Sequence, residues 1–411
     1  MYFRNITSKI SKLLKIFPVV AIIGPRQCGK STLAQMVCPD WKYFDLERPS
    51  DFQLISSDEE FFFQNYPAKI IIDEAQQLPQ LFSTLRSVVD DQRSVKGRFL
   101  ITGSSSPEII RGLSESLAGR VATIELSPMK CNELVNQSLP DFYSILVNAE
   151  PQNIQAELLA LTSPISREQM ISQWFSGGYP EPLLADDKEF YYYWMDNYIQ
   201  NYLDRDIRKL FPRLNIQNYH RFLQLLSNLS CHHLVQSDIA KSIEISSSTV
   251  KDYLDIIHNT FLWRNLYSFE KNKKKSVQKM PKGFFRDSGL LHYLLKIKSH
   301  EDLLVHPIAG FSFESFVIEE IIRGLQATSA TNLDYYHYRT RDKAEVDLII
   351  DGFFGVIPVE VKLGVIIPKR SLKSMTVLLD DINAPLGIVV NNSTSIERLT
   401  EKIIQIPVNY L

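Results

Sequence analysis

Cysteine is scarce in this sequence, and its charges nearly balance. Among 411 residues there are four cysteines, and the formal net charge is −2. The cysteines show neither metal-ligand spacing nor a disulfide framework, which favours a reducing cytoplasm as the location. They are Cys28, Cys38, Cys131 and Cys231. The charge balance excludes a globally basic surface, so any nucleic-acid-binding surface has to be a local patch.

Long apolar runs are also missing. The run Phe17–Ile23 is far shorter than the about 20 residues of a membrane-spanning helix, and no small-residue cleavage site follows it. We therefore expect no signal peptide and no membrane partner. The chain is 45% hydrophobic and 22% charged, as in ordinary globular proteins, and its length suggests two or three domains of about 150 residues each.

A glycine-containing loop between a β-branched run and a helical pattern indicates a phosphate-binding site. In FPVVAIIGPRQCGKSTLAQMV the glycines allow backbone N–H groups to approach phosphate oxygens, Lys30 reaches the terminal phosphates and Ser31 can ligate Mg²⁺. A chance match in a turn is disfavoured because both the strand and the helix flank the loop. We expect ATP and Mg²⁺ to bind at Gly24, Pro25, Arg26, Gln27, Cys28, Gly29, Lys30, Ser31 and Thr32.

Polar residues follow two further predicted strands. In AKIIIDEAQQLP, Asp73 and Glu74 come after three isoleucines, at the strand end where open α/β sheets bind their ligands. We expect Asp73 to hold Mg²⁺ through water and Glu74 to polarise the attacking water, with a helix N-cap pair as the weaker alternative. In GRFLITGSSSPEII, the hydroxyls of Thr102, Ser104 and Ser105 could sense the γ-phosphate or cap the next helix, and these roles are compatible.

The middle of the chain is predicted to be helical. The segment YYYWMDNYIQNYLDRDIRKL has aromatic residues at three- and four-residue spacing, which is more typical of a buried helix face than of a base-stacking platform. Arg205 and Arg208 could contact nucleotide from a lid or pair with Asp204 and Asp206, and the second alternative is slightly favoured.

Helix-turn-helix spacing follows. The helices SDIAKSI and STVKDYLDIIHNT precede two predicted strands, FLWRNLYSF and KGFFRDS, which together predict a winged helix. The segment between the strands is the one dense cationic patch of the chain, and DNA phosphates are its expected partner. A solvated loop and a protein-binding winged helix are the alternatives. The candidate DNA-binding residues are Lys271, Lys273, Lys274, Lys275 and Lys279.

The last part of the chain carries a possible second metal site. Two strands, predicted to join around Asp351-Gly352, carry Asp347 in AEVDLII and Glu360 and Lys362 in VEVKLG. Mg²⁺ prefers hard oxygen ligands, which Asp347, Glu360 and, from an amphipathic helix, Glu314 could provide. Lys362 would position the attacking water or steady the phosphorane charge. Two amphipathic strands with alternating charges are the alternative.

Two resemblances support these interpretations. Along the chain, a strand ending in Asp73 and Glu74 is followed by a strand ending in polar residues, a helix and Arg120. This order resembles that of the AAA+ ATPases. It implies that Arg120 reaches the nucleotide of a neighbouring subunit in a dimer or ring, although a cation at a helix C-terminus is the alternative. The series Glu314, Asp347, Glu360 and Lys362 resembles the PD-(D/E)xK nuclease fold, with Val346 in place of the proline that often precedes the aspartate.

The chain as a whole resembles a prokaryotic family of AAA-type ATPases with a C-terminal domain of unassigned function. Among the shared motifs are GPRQCGKST, IIIDEAQ, PKGFFRDSGLL, FESFV and VEVKLG. The resemblance implies an α/β fold in four parts: an AAA+ P-loop core with a parallel sheet, a helical lid, a winged helix and a restriction-endonuclease-like α/β domain. We expect these parts at residues 1–135, 136–210, 211–300 and 301–411.

Two functions are compatible with these features. The first is an ATP-driven enzyme that remodels or processes DNA, with possible Mg²⁺-dependent cleavage at Asp347, Glu360 and Lys362. The second is a nucleotide-dependent switch whose nuclease-like domain binds DNA or protein without cutting it.

Overall fold

The computed structural model describes residues 2–104, 112–185, 187–270, 281–340 and 345–411. Its first part is a five-stranded sheet in the order β2-β3-β4-β1-β5, in which every pair of neighbours is parallel. The predicted α/β fold with a parallel sheet is therefore confirmed. The strands are β1 (Val19–Gly24), β2 (Lys42–Asp45), β3 (Ile70–Asp73), β4 (Phe99–Ser104) and β5 (Val121–Glu125).

Helices cover both faces of this sheet. Because β1, β3 and β4 are buried on both faces, they are nearly continuous apolar runs, as parallel strands usually are. Two hydrophobic clusters form, one on each face. The helices of this part are α1 (Thr7–Leu14), α2 (Lys30–Val37), α3 (Pro49–Ser56), α4 (Glu59–Asn65) and α5 (Leu81–Asp91), with a π-helical turn at Gly112–Ser116.

A run of helices follows the parallel sheet, as the sequence predicts. The buried face of the aromatic segment includes Trp194, Tyr198 and Tyr202, so the prediction of a buried helix face is confirmed for these residues. The helices are α6 (Cys131–Leu134), α7 (Asp141–Asn148), α8 (Ile154–Leu159), α9 (Arg167–Ser176), α10 (Pro180–Leu184), α11 (Lys188–Asn201), α12 (Arg208–Leu210) and α13 (Ile216–Asn228), with a π-helical stretch at Tyr202–Ile207 before α12.

Two helices and an antiparallel strand pair come next. Helix α14 (Gln236–Ile243) and helix α15 (Ser247–Asn259) have the predicted positions, and the Ser246 hydroxyl accepts the Thr249 N–H at 3.1 Å as an N-cap. Strand β7 (Trp263–Ser268) pairs with β8 (Lys282–Phe285), which also pairs with the short β6 (His232–His233).

These strands belong to a second, nine-stranded mixed sheet in the order β13-β14-β12-β11-β10-β9-β7-β8-β6. Strand β7 joins it through a short parallel pairing with β9. The added strands are β9 (Asp334–Arg339), β10 (Glu345–Gly352), β11 (Gly355–Lys362), β12 (Gly387–Asn391), β13 (Glu397–Arg398) and β14 (Ile403–Pro407). The remaining helices are α16 (Ser288–Leu294), α17 (His300–Val305), α18 (Ala309–Ala327) and α19 (Lys373–Asp381).

One local prediction in this part is shifted and another is wrong. The predicted hairpin of β10 and β11 forms, but Gly352 pairs with Gly355, so its turn is Phe353-Phe354, directly after Asp351-Gly352. Helix α18 was predicted to have one buried and one exposed face, but every residue from Ser312 to Leu325 is buried. Its charged side chains are buried together with its apolar ones, since they take part in the ion pairs described below.

Candidate active site and a second charged cluster

The phosphate loop has the backbone geometry that its glycines predict. A Cβ atom at Gly24 would lie 2.1 Å from the carbonyl oxygen of Leu126, so a side chain is excluded there. Gly29, just before α2, has a φ of +95°, and Gln27 has a φ of 58°, in the left-handed region that favours glycine. The loop from Gly24 to α2 thus turns tightly at the carboxyl end of β1, with the N-terminus of α2 beside it.

Lys30 is held against this loop. Its Nζ donates to the carbonyl oxygens of Pro25 at 2.7 Å and Gly24 at 3.2 Å, and lies 3.4 Å from the Ser104 hydroxyl. The side chain is buried. An ammonium satisfied by backbone carbonyls is placed to exchange them for phosphate oxygens, which are stronger acceptors.

Asp73, at the end of β3, is buried and lies beside the loop. Its carboxylate accepts hydrogen bonds from the Thr102 hydroxyl and, at 2.5 Å, from the Tyr43 hydroxyl. Burial and then the bond to Asp73 raise the pKa of Tyr43, while a bond from Ser31 opposes the rise. Ser31, Tyr43 and Asp73 therefore form one connected group. Tyr43 on β2 was missed by the sequence analysis, and no motif marks it.

Glu74 leaves the strand in a strained conformation. Its φ and ψ of 53° and 45° lie in the left-handed region, which costs energy for a residue other than glycine and is typical of functional sites. The strain turns the carboxylate toward Ser104, whose hydroxyl donates to it at 3.2 Å, and Gln76 donates to its other oxygen. Lys30, Asp73, Glu74 and Ser104, which the sequence analysis placed on three separate segments, are thus brought together.

The helical segment before α12 closes over the phosphate loop. Arg26 pairs with Asp206 at 2.8 Å, and Arg205 pairs with Glu47 at 2.9 Å, so Arg205 pairs outside its own segment, contrary to the favoured alternative. Burial raises the pKa of Asp206 to about 6. Lys209 completes the contact by donating to the Gln77 side chain at 2.6 Å.

Arg120 lies far from the nucleotide site of its own chain. It makes a bidentate ion pair with Asp90, at 2.7 and 2.8 Å. Val121 is in register with Val19, so Arg120 stands at the opposite end of the parallel strands from the phosphate loop, roughly 17 Å away along the strand. Any contact between Arg120 and a nucleotide therefore requires a second chain.

Buried ion pairs join the nucleotide sheet to the C-terminal half. Arg286, which follows β8, donates to Glu125 of β5 and lies 3.4 Å from Glu319 of α18. Arg286 also donates to the Ser127 hydroxyl at 3.2 Å, and the Ser127 carbonyl accepts from Arg4 at 2.6 Å. Burial lowers the stability of the Glu319 carboxylate, but Arg264 and Arg286 outweigh it and set its pKa at about 2. Glu319 is therefore ionised at neutral pH.

Arg4 continues this network into the phosphate loop. Its guanidinium donates to the Cys28 carbonyl at 2.9 Å and pairs with Glu133 at 3.0 Å. The predicted nucleotide site is thus connected by hydrogen bonds to α18. Sequence analysis did not identify Arg4, because single arginines before a helix carry no motif.

The predicted C-terminal residues do come together. Asp347 of β10 accepts the Val361 N–H at 2.8 Å, and Lys362 pairs with Glu360 at 2.5 Å. Burial, and then the nearby Asp347, raise the pKa of Glu360. Glu314 of α18 is buried on the same side, and burial and Asp347 raise its pKa to about 8.

A residue that the sequence analysis passed over lies among these carboxylates. Nζ of Lys282 is 2.5 Å from Glu314, 3.1 Å from Glu345 and 3.5 Å from Asp347. Burial lowers the pKa of Lys282, but the carboxylates of Glu314 and Asp347 outweigh it and raise the pKa well above its usual value. The only sequence signal is that Lys282 occupies a buried strand position two residues before Phe284. We refer to Glu314, Glu345, Asp347 and Glu360 as the carboxylate cluster.

Neither the second predicted metal site nor the basic patch gains support here. Among the residues that the structure describes, no group of three or more His, Cys, Asp or Glu side chains has an arrangement that could hold a metal ion. The predicted DNA-binding residues Lys271, Lys273, Lys274, Lys275 and Lys279 lie outside the described ranges. Within those ranges, no helix has the length and apolar character needed to cross a bilayer.

Comparison with known proteins identifies relatives along most of the chain. Residues 17–135 match the model of an AAA domain, and residues 167–301 and 309–411 match two domains of unknown function, DUF8612 and DUF4143. The uncharacterized protein Rv2008c of Mycobacterium tuberculosis is 32% identical over 351 residues, which cover 85% of this chain and 71% of the relative. The chain belongs to the family of this protein. With its AAA domain, it is an AAA-type ATPase.

Further relatives of this AAA-type ATPase are more distant. The uncharacterized protein MJ1544 of Methanocaldococcus jannaschii is 23% identical over 344 residues, covering 80% of this chain and 70% of the relative. Among solved structures, a Walker-type ATPase of Pyrococcus abyssi is 14% identical with a TM-score of 0.43, covering 72% of this chain and 96% of the other. The RuvB Holliday junction branch migration motor of Thermotoga maritima is 15% identical with a TM-score of 0.30, covering 67% and 94%.

Proposed function

We propose that this ATPase uses its nucleotide cycle to change how its C-terminal half holds DNA, and that it does not cut the DNA. The observation that carries the proposal is the buried connection from the phosphate loop through Arg4, Ser127 and Arg286 to Glu319 of α18. In this connection Arg286 and Glu319 form a buried ion pair, whose rupture costs about 3–5 kcal/mol, and the other steps are hydrogen bonds from arginine to uncharged oxygens, worth about 1.5–3 kcal/mol each. A displacement of one part would therefore be passed to the other.

The residues at the phosphate loop fit ATP with Mg²⁺. The Ser31 hydroxyl and the Asp73 carboxylate are hard oxygen donors, and a magnesium site needs only one or two protein ligands beside water and phosphate oxygens. When bound, Mg²⁺ would neutralise charge on the phosphates. Lys30 would leave the Gly24 and Pro25 carbonyls to bind the terminal phosphates.

Glu74 and Ser104 supply the remaining chemistry in this proposal. The Glu74 carboxylate would orient the attacking water and accept its proton. Because the Ser104 hydroxyl donates to Glu74 at 3.2 Å and lies 3.4 Å from Lys30, it would report the presence of the γ-phosphate to both. Binding would also displace Arg26 from Asp206, which would release the helical segment over the loop.

DNA is the proposed partner of the region around α14 and α15. Two helices followed by an antiparallel strand pair have the element order of a winged helix, and the lysine-rich segment 271–279 connects β7 and β8. The exposed side of α15 carries Lys251 but also Asp252 and Asp255. Phosphate contacts would therefore come mainly from the lysine-rich segment.

Two assembly features belong to the same proposal. We propose that Arg120 completes the nucleotide site of a neighbouring subunit in a dimer or ring, with its ion pair to Asp90 as the resting state. We also propose the four-part division of the chain at residues 135, 210 and 300, although one hydrophobic cluster includes residues from Cys131 to Leu411 and the last three parts would then share a core.

Cleavage was the other function that the sequence predicted, at Asp347, Glu360 and Lys362. We favour the non-cleaving function because Lys282 already pairs with the carboxylates that Mg²⁺ would need. The C-terminal domain would then bind DNA or protein without cutting it, which is the second function predicted from the sequence.

The test combines ATPase and gel assays on purified protein with linear and branched DNA, ATP and Mg²⁺ or Mn²⁺. We expect DNA to stimulate ATP hydrolysis, and no cleavage products in either metal. Replacing the lysines of segment 271–279 with glutamine should remove the stimulation while leaving the basal ATPase rate unchanged. Products that disappear in D347N would contradict the absence of cleavage, and a rate unaffected by any DNA would contradict the choice of partner.

A further inference from the structure

We infer that Lys282 is the built-in cation of the carboxylate cluster and that it keeps divalent metal ions out of the cluster. The inference concerns the C-terminal half alone and does not depend on ATP hydrolysis or on DNA. It assigns a role to a residue that lies in a strand of the neighbouring hairpin rather than in the predicted series of Glu314, Asp347 and Glu360.

The position of the ammonium group is central in the cluster. Lys282 Nζ lies 2.5, 3.1 and 3.5 Å from oxygens of Glu314, Glu345 and Asp347, which come from α18 and from two positions of β10. Divalent ions bind where carboxylate oxygens converge at about 2.0–2.6 Å. Since the ammonium group already fills the point of convergence, a metal ion there would contact Nζ directly.

The lysine cannot easily leave. Its side chain is only 3% exposed, and its backbone is paired on both sides, to His233 of β6 and to Leu266 of β7. Moving this buried ammonium group away would leave the carboxylates without their cationic partner, which costs about 3–5 kcal/mol. Lys30 is also buried, but phosphate oxygens can replace the loop carbonyls that hold its ammonium group. In the described part of the chain, no such replacement partner is evident for Lys282, whose strand β8 lies between β7 and β6.

Two lysines pair with the four carboxylates of the cluster. Lys362, which is more exposed, pairs with Glu360 at 2.5 Å, and Lys282 lies among Glu314, Glu345 and Asp347. Bringing a divalent ion beside two ammonium groups would add like-charge repulsion in a region of low dielectric. The only neighbouring imidazole, among residues paired with the cluster in the described ranges, is His233, 3.6 Å from Glu345.

Manganese binding tests the inference directly. Mn²⁺ would be titrated, without nucleotide, into the wild-type chain of 411 residues and into K282A, and free Mn²⁺ would be followed by electron paramagnetic resonance. D347N and K282A/D347N identify the contribution of the cluster, because a Mn²⁺ ion at the phosphate loop is unaffected by Asp347. K402A is the matched control, since Lys402 also pairs with a carboxylate, Asp380 at 2.8 Å, but on the surface.

We expect no Asp347-dependent Mn²⁺ binding in the wild type or K402A. K282A should gain about one Asp347-dependent ion per chain, with an affinity at least tenfold above the detection limit that the wild type fails to reach, and K282A/D347N should lose it. Mn²⁺ should also raise the melting temperature of K282A and leave that of the wild type unchanged. Asp347-dependent binding in the wild type would overturn the inference, and so would a folded K282A that gains no ion. The comparison of wild type with D347N needs no lysine variant, so a K282A that fails to fold leaves the inference testable.

Discussion

Arg4 donates a hydrogen bond of 2.9 Å to the carbonyl oxygen of Cys28, so a residue before the first helix fixes the backbone of the phosphate loop. The same guanidinium pairs with Glu133 at 3.0 Å. The loop is therefore supported from a part of the chain that its own motif does not include, and this support is one end of the connection to α18.

Arg4→Ala should weaken both the fold and nucleotide binding. The substitution removes the arginine that pairs with the buried Glu133, which keeps only the backbone N–H groups of Asn5 and Lys130. Losing this charge partner costs about 3–5 kcal/mol, and the Cys28 carbonyl is freed. We expect a lower urea midpoint and at least a tenfold larger dissociation constant for a fluorescent ATP analogue. Arg4→Lys restores the charge but not the forked contacts and should be intermediate. Unchanged nucleotide affinity in a destabilised R4A would show that Arg4 supports the fold alone.

Substitutions at Lys30 and Glu74 should separate binding from hydrolysis. Lys30→Ala removes the ammonium that we propose binds the terminal phosphates, so ATP affinity should be lost. Glu74→Gln keeps the size of the side chain but cannot accept a proton, and we expect normal ATP affinity with hydrolysis at least 100-fold slower, since general bases contribute about 10²–10⁴-fold. Hydrolysis at the normal rate in E74Q would assign the base to another residue.

Arg120 predicts a concentration-dependent ATPase. Because it cannot reach the nucleotide of its own chain, specific activity should rise with protein concentration, and Arg120→Ala should lower it by about 10³-fold or more. Mixing inactive R120A with inactive E74Q should restore activity, since an R120A site can receive Arg120 from an E74Q neighbour. Specific activity that is independent of concentration, together with an active R120A, would limit Arg120 to its pair with Asp90.

His292 predicts a loss of stability in mild acid. Burial lowers its pKa to about 4. Its Nδ1 donates to the Phe175 carbonyl at 2.8 Å, and the Ser312 hydroxyl donates to Nε2, at 2.6 Å. The native imidazole stays neutral while the unfolded one binds a proton below about pH 6.5. Stability should therefore fall as pH drops from 6.5 toward 4, by about 2 kcal/mol between pH 7 and pH 5 from this residue.

Urea unfolding of the wild type and of His292→Gln at several pH values measures this effect. The difference between the two curves isolates His292 from the other titrating groups, including His337, whose pKa burial also lowers to about 4. A difference that stays constant from pH 7 to pH 5 would mean that the buried imidazole is not neutral in the folded protein.

The nucleotide site was predictable from sequence because its parts are local. Each of β1, β3 and β4 is an apolar run with its polar residues at the end, and parallel strands bring those ends to one edge. Lys30, Asp73, Glu74 and Ser104 meet for that reason. Tyr43 could not be predicted in the same way, because its strand is half exposed and no glycine or acidic pair follows it.

The charged links between parts of the chain were not predictable. Lys282 and Asp347 are 65 positions apart and Arg286 and Glu125 are 161 apart, and pairing at such separations depends on the tertiary fold. A lysine beside a lysine-rich segment suggests a solvated strand end, and only the register of β8 with β6 and β7 shows that Lys282 is directed into the core. The burial of α18 was unpredictable for the same reason. Its glutamates are buried because they pair with distant arginines and lysines, and these partners are known only from the fold.

The central claim is that the nucleotide state reaches the C-terminal half, which we propose binds DNA, through the buried arginines at Glu125 and Glu319. DNA affinity in two nucleotide states tests it most directly. Fluorescence anisotropy with labelled DNA would compare E74Q holding ATP with the same protein holding ADP. We predict dissociation constants that differ at least tenfold. The difference should disappear in E74Q/R264Q/R286Q, which removes both arginines that contact Glu125 and Glu319 together, but persist in E74Q/K402A. Equal dissociation constants with ATP and ADP would contradict the account.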